Sequence, residues 1–105
     1  MSSWFFLFVA GIFEIGFTTS MKLSQGFFEL KYTLAFIGFA ILSFLFLNKS
    51  LSTIPLGTAY AVWTGIGAFG TALIGMIFFK DPASFSRIFL LVILISSILG
   101  LKFCA

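Results

Sequence analysis

Between Ile54 and Phe79 the sequence contains no charged residue. About 20 apolar residues suffice to cross a bilayer as a helix, so a run of this length has few other fates. Three further apolar runs accompany it, giving candidate spans at about residues 4–21, 32–49, 54–79 and 85–103. Lipid offers no hydrogen-bond partner to backbone groups, so each run is forced to satisfy its own as a helix. The breaks between them are short: Lys22 with Ser24-Gln25-Gly26, Asn48-Lys49-Ser50, and Lys80-Asp81-Pro82. The expectation is an all-α integral membrane protein, with residues 1–105 forming a single domain of four transmembrane helices. Those spans consume the chain and leave no room for an extramembrane domain. The opening segment has no basic stretch before its apolar core and carries an acid within it. It reads as a retained span, not a cleaved signal peptide.

Charged residues make up only 9% of the chain, against roughly 25% in soluble domains, and the six bases are scattered singly. A nucleic-acid partner would need a clustered basic face, and none is present. With one cysteine, Cys104, and no histidine, neither a disulfide framework nor histidine-based catalysis or metal binding is expected within one chain. No cofactor is expected either. Lys22, Lys31, Lys80 and Arg87 fall on one side of the membrane, and Lys49 and Lys102 on the other. This small bias accommodates one topology with the N-terminus outside, and equally insertion both ways round. Arg87 and Lys102 frame the fourth span and are expected to snorkel to the interfaces.

Glu14 is the residue that this background makes conspicuous. A carboxylate at bilayer depth costs a few kcal/mol, and such residues are functional-site candidates by default. The nearest base, Lys22, lies eight residues on, roughly 12 Å along a helix. Leu7, Ala10, Gly11, Phe17, Thr18 and Met21 share its helical face. Small residues before the acid and a hydroxyl after it suit a closely approached polar pocket. Thr18 and Thr19 have the alternative of bonding back to their own helix carbonyls. No second catalytic group accompanies Glu14, so an enzyme is not expected.

The third span places Tyr60, Trp63, Thr64 and Gly67 on one face. Aromatics opposite a buried carboxylate offer charge pairing and cation–π attraction to a desolvated organic cation. An interfacial aromatic belt is the alternative. Gly65, Gly67 and Gly70 mark either a hinge, the preferred reading, or a tight helix crossing. In the second span Ser43 either hydrogen-bonds the carboxylate or back-bonds within its helix. In the fourth, Ser96, Ser97 and Gly100 form a small-residue patch suited to helix–helix contact.

The segments GIFEIGFTTSMKLSQGF and IPLGTAYAVWTGIGAFG, with Ser43 between them, resemble the small multidrug resistance family of bacterial proton-coupled exporters over nearly the whole chain. The resemblance implies an antiparallel dimer of identical chains, or of two related ones, in the bacterial inner membrane. It implies Glu14 as a site shared by protons and cations, with Tyr60 and Trp63 as pocket aromatics. Ser43 becomes a partner of the carboxylate, Gly65 and Gly67 the bend, and Ser96, Ser97 and Gly100 the dimer contact.

Branch features are mixed. TTSMKLSQGF looks like the multidrug, quaternary-ammonium branch, whereas AYAVWTGIGAFG and Gly100-Leu101-Lys102 look like the guanidinium-exporting branch and subunits of paired exporters. Phe17 stands where guanidinium exporters usually carry tryptophan. Ala40 and Leu45 stand where multidrug members often carry aromatics. The leading expectation is a proton-coupled antiporter exporting quaternary ammonium or other lipophilic cations. The alternatives are a guanidinium-selective exporter, one subunit of a heterodimeric exporter, and a membrane assembly subunit that transports nothing.

Overall fold

The structure is a computed structural model that describes residues 2–104. Its four helices are α1 (Ser3–Leu23), α2 (Leu30–Ser50), α3 (Leu56–Phe78) and α4 (Phe85–Cys104). At 1.5 Å per residue each is roughly 30–35 Å long, the thickness of a bilayer's hydrocarbon core. All four are apolar enough to cross a membrane.

The helix ends follow from local chemistry. Ser2 caps α1, its hydroxyl accepting from the Phe5 N–H at 3.4 Å. Ser24 closes the same helix: its hydroxyl donates to the Met21 carbonyl and accepts from the Phe27 N–H. The turn that follows runs left-handed through Gln25, Gly26 and Phe27. Pro55 precedes α3, where its fixed φ of −57° suits the approach to a helix and its missing N–H costs nothing. At the other end of α3 the N–H groups of Phe79 and Asp81 both donate to the Gly75 carbonyl. Lys80, between them, takes a left-handed φ of 61°. Ser84 then caps α4 through the Arg87 N–H.

The helices pack in the spatial order α2, α1, α3, α4, with α4 resting chiefly on α3. It reaches α1 through long side chains such as Lys102, whose ammonium lies 5.9 Å from the Phe8 ring centroid. The outline is a slab of 40 × 34 × 19 Å. Glycines set the α1–α3 spacing. A Cβ on Gly11 would meet Ile66 at 2.6 Å, and a Cβ on Gly70 would overlap Ile15. Large and small side chains thus alternate across this contact. The α1–α2 contact is aromatic: Phe46 stacks between Phe6 and Phe13 at centroid distances of 5.8 and 5.7 Å. The core is small, comprising Leu7, Ala10, Ile54, Ala59, Val62, Trp63 and Ile98. Much of the remaining apolar surface, including Phe39, Leu42, Phe89 and Leu99, is exposed, as lipid or a partner helix allows.

Candidate functional site

Glu14 projects from the middle of α1 onto α3 at Gly67, where a Cβ would overlap its carboxyl group. Only glycine leaves room there. The Glu14 Oε1 atom is buried without a hydrogen-bond partner. A carboxylate so placed has unspent capacity for a proton or a cation, because among the described residues none hydrogen-bonds that oxygen.

Two different surfaces flank Glu14, because Phe17 and Thr18 diverge to either side of it along α1. On the Phe17 side lies an aromatic cluster. The ring centroids of Phe17 and Phe44 lie 6.5 and 5.3 Å from that of Trp63, and Tyr60 is 5.6 Å from the same indole. Tyr60 itself is 57% exposed and forms the outer edge of the cluster. On the Thr18 side lies a groove of about 350 Å³, lined by Glu14, Thr18, Thr64, Gly67, Ala68, Thr71, Ala72, Asp81 and Arg87. Thr18 donates to the Ile15 carbonyl at 3.0 Å and pairs with the Thr71 hydroxyl at 2.6 Å. It therefore back-bonds and lines the groove at once. Thr19 makes no such bond; its hydroxyl is buried without a partner.

Ser43 is not where either expectation put it. Its hydroxyl donates across the helix interface to the Ala10 carbonyl at 2.7 Å and accepts from the Trp63 indole N–H at 2.9 Å. It neither bonds the Glu14 carboxyl nor back-bonds to α2. Its effect is to fix the indole, with α1, α2 and α3 meeting at one hydroxyl.

The glycines of α3 admit close neighbours. The helix runs unbroken from Leu56 to Phe78. A Cβ on Gly65 would meet Ile98 of α4 at 2.6 Å, and Gly67 seats Glu14. In this structure both permit tight crossings. Ser96 and Ser97 bond back to Val92 and Ile93 and lie exposed on α4, while Gly100 has open space before it.

Arg87 departs from its expected outward reach. It lines the Glu14 groove, and its Nε is buried without a partner. Thr71 and Phe44 also escaped the sequence reading. Thr71 lies four residues beyond Gly67 and seven beyond Thr64, a helical spacing that does mark the shared face. No group of three or more metal-ligating side chains occurs among the described residues.

A family model described as Small Multidrug Resistance protein matches residues 2–94. The chain is 42% identical over 100 residues to a guanidinium exporter of Proteus vulgaris, covering 95% of this chain and 96% of that one. It is 37% identical over 103 residues to a guanidinium exporter of Salmonella typhimurium, covering 98% of each. A guanidinium exporter of Citrobacter freundii is 39% identical over 100 residues, 95% of each chain. Four bilayer-length helices, a half-buried carboxylate between the first and third, and a family match over most of the sequence agree: the chain belongs to the small multidrug resistance family.

Proposed function

We propose that this chain exports guanidinium-type cations across the inner membrane in exchange for protons. As a member of the family it is a multi-pass inner-membrane protein and an exporter of small cations. The narrower cargo is our reading, and it replaces the quaternary-ammonium expectation. It rests on the unpartnered Glu14 oxygen beside the Trp63 cluster, together with relatives named as guanidinium exporters. Glu14 alternates between a proton and a cation, and competition for one carboxylate couples the two fluxes. Trp63 and Tyr60 offer the cation their ring faces, and Phe17 and Ser43 hold the indole in place.

In a slab 19 Å thick, Tyr60 at the edge of this site is more than half exposed. The proposed working unit is therefore an antiparallel dimer in which a second chain closes it, with Ser96, Ser97 and Gly100 on the contact. Gly65 and Gly67 would supply flexibility as the opening alternates between sides.

Reconstitution into liposomes under a pH gradient tests the proposal. Guanidinium should drive proton flux more strongly than tetraphenylphosphonium or benzalkonium cations. If the bulky cations win, the quaternary-ammonium reading stands instead. That second reading has support in Phe36 and Phe44 of α2, which bring extra aromatic surface to Phe17 and Trp63. Slow, uncoupled flux of every cation would indicate a missing sister subunit. No flux at all would favour an assembly role.

A further inference from the structure

We infer that the hydroxyl-lined groove between α1 and α3 is the route by which protons reach Glu14, separate from the aromatic side on which the cation is held. This inference rests on the proposed exchange function and assigns its two fluxes to different surfaces. Glu14 borders both. The aromatic side offers ring faces and apolar contact, which suit a desolvated organic cation. The groove has no aromatic lining; its walls are Thr18, Thr64 and Thr71 with Gly67, Ala68 and Ala72.

A polar groove of about 350 Å³ has room for on the order of ten water molecules at about 30 Å³ each. Its hydroxyls and Glu14 give such water the polar partners that keep a cavity wet. The outer end lies where α3 gives way to α4. Asp81 is folded back there against Gly75, held by its N–H bond to the Gly75 carbonyl. Arg87 lies on the same groove with a buried, unpartnered Nε. The positive charge of Arg87, partly offset by the Asp81 carboxylate on the same groove, makes this passage less favourable to an organic cation than the aromatic side. A proton is treated differently, because it moves by exchange between water molecules and binds covalently to a carboxylate such as Asp81. Lys22 is placed over the Phe79 ring near this end of the bundle, its ammonium 5.9 Å from the centroid.

The test separates the two fluxes. Wild-type protein and a Thr71→Val variant are reconstituted in liposomes. Proton-driven guanidinium uptake is compared with exchange of labelled for unlabelled guanidinium at equal pH on both sides. Removing the hydroxyl dries the groove, so Thr71→Val should lower proton-driven uptake about tenfold while exchange stays within about twofold. Thr71→Ser should restore the proton-driven rate. Ala72→Val, which narrows the same groove without touching a hydrogen bond, should repeat the pattern. Equal loss in both assays for the two valine variants, or no loss in either, overturns the assignment. If the wild-type protein itself shows no proton-driven uptake, the exchange function fails and not merely the route.

Discussion

The indole N–H of Trp63 donates to the Ser43 hydroxyl at 2.9 Å, and that hydroxyl in turn donates to the Ala10 carbonyl of α1. One buried oxygen thereby ties the aromatic cluster to two neighbouring helices. Ser43→Ala would leave the indole without an acceptor, at a cost of about 1–3 kcal/mol. The thermal unfolding midpoint in detergent should fall, and the fluorescence of Trp63 should shift. An unchanged midpoint would mean that the bridge is absent in the membrane-extracted protein.

Gly67→Ala places a methyl group against the Glu14 carboxyl. Guanidinium-driven proton flux should be lost or severely reduced. Gly38 and Gly57 have open space around them and serve as controls. Alanine there should leave flux intact and favour the helix by up to about 1 kcal/mol each. Equal flux in Gly67→Ala and Gly57→Ala would show that α3 does not seat Glu14 during transport.

Glu14→Gln keeps the shape of the side chain and removes its charge. The variant should insert normally, with wild-type yield and helical circular dichroism, yet carry no proton-coupled flux. Uphill export by this variant would sink the single-site mechanism. Glu14→Asp should retain exchange with a displaced pH dependence, since the shorter side chain alters the distance from Gly67.

Phe17→Trp adds an indole N–H to the cluster beside Glu14. Like guanidinium it can only donate, so its acceptor is the Glu14 carboxylate. A hydrogen bond to a charged group is worth about 1.5–3 kcal/mol. By favouring the ionised, cation-binding form, this bond should make proton flux half-saturate at roughly tenfold lower guanidinium. The check is a guanidinium titration of flux in liposomes. An unchanged half-saturation would place residue 17 outside the reach of the Glu14 carboxylate.

Four helices were legible because lipid leaves an uncharged run so few choices, and Glu14 stood out because its cost is independent of the fold. Helix crossings were less legible. Ser43 and Trp63 lie on different helices, and no periodicity within either one states which hydroxyl meets which ring. Gly65 and Gly67 carry the same ambiguity: lack of a side chain permits a bend or a close neighbour, and only Ile98 and Glu14 across the interface decide between them in this structure. Arg87 was read as snorkelling because its position near a helix end says nothing of the groove beside it. Thr71 was within reach of the helical spacing that had already linked Thr64 to Gly67.

The attachment of α4 chiefly to α3 bears on how the protein is made. By the time residue 78 has entered the membrane, α1, α2 and α3 possess every mutual contact they will have. The last helix is laid against a finished surface, with Ile98 seated over Gly65. Chains fold progressively from the N-terminus during synthesis. A lesion in α4 beyond Arg87 should therefore yield a protein whose first three helices are correctly assembled and whose fault lies in what its outer edge can join.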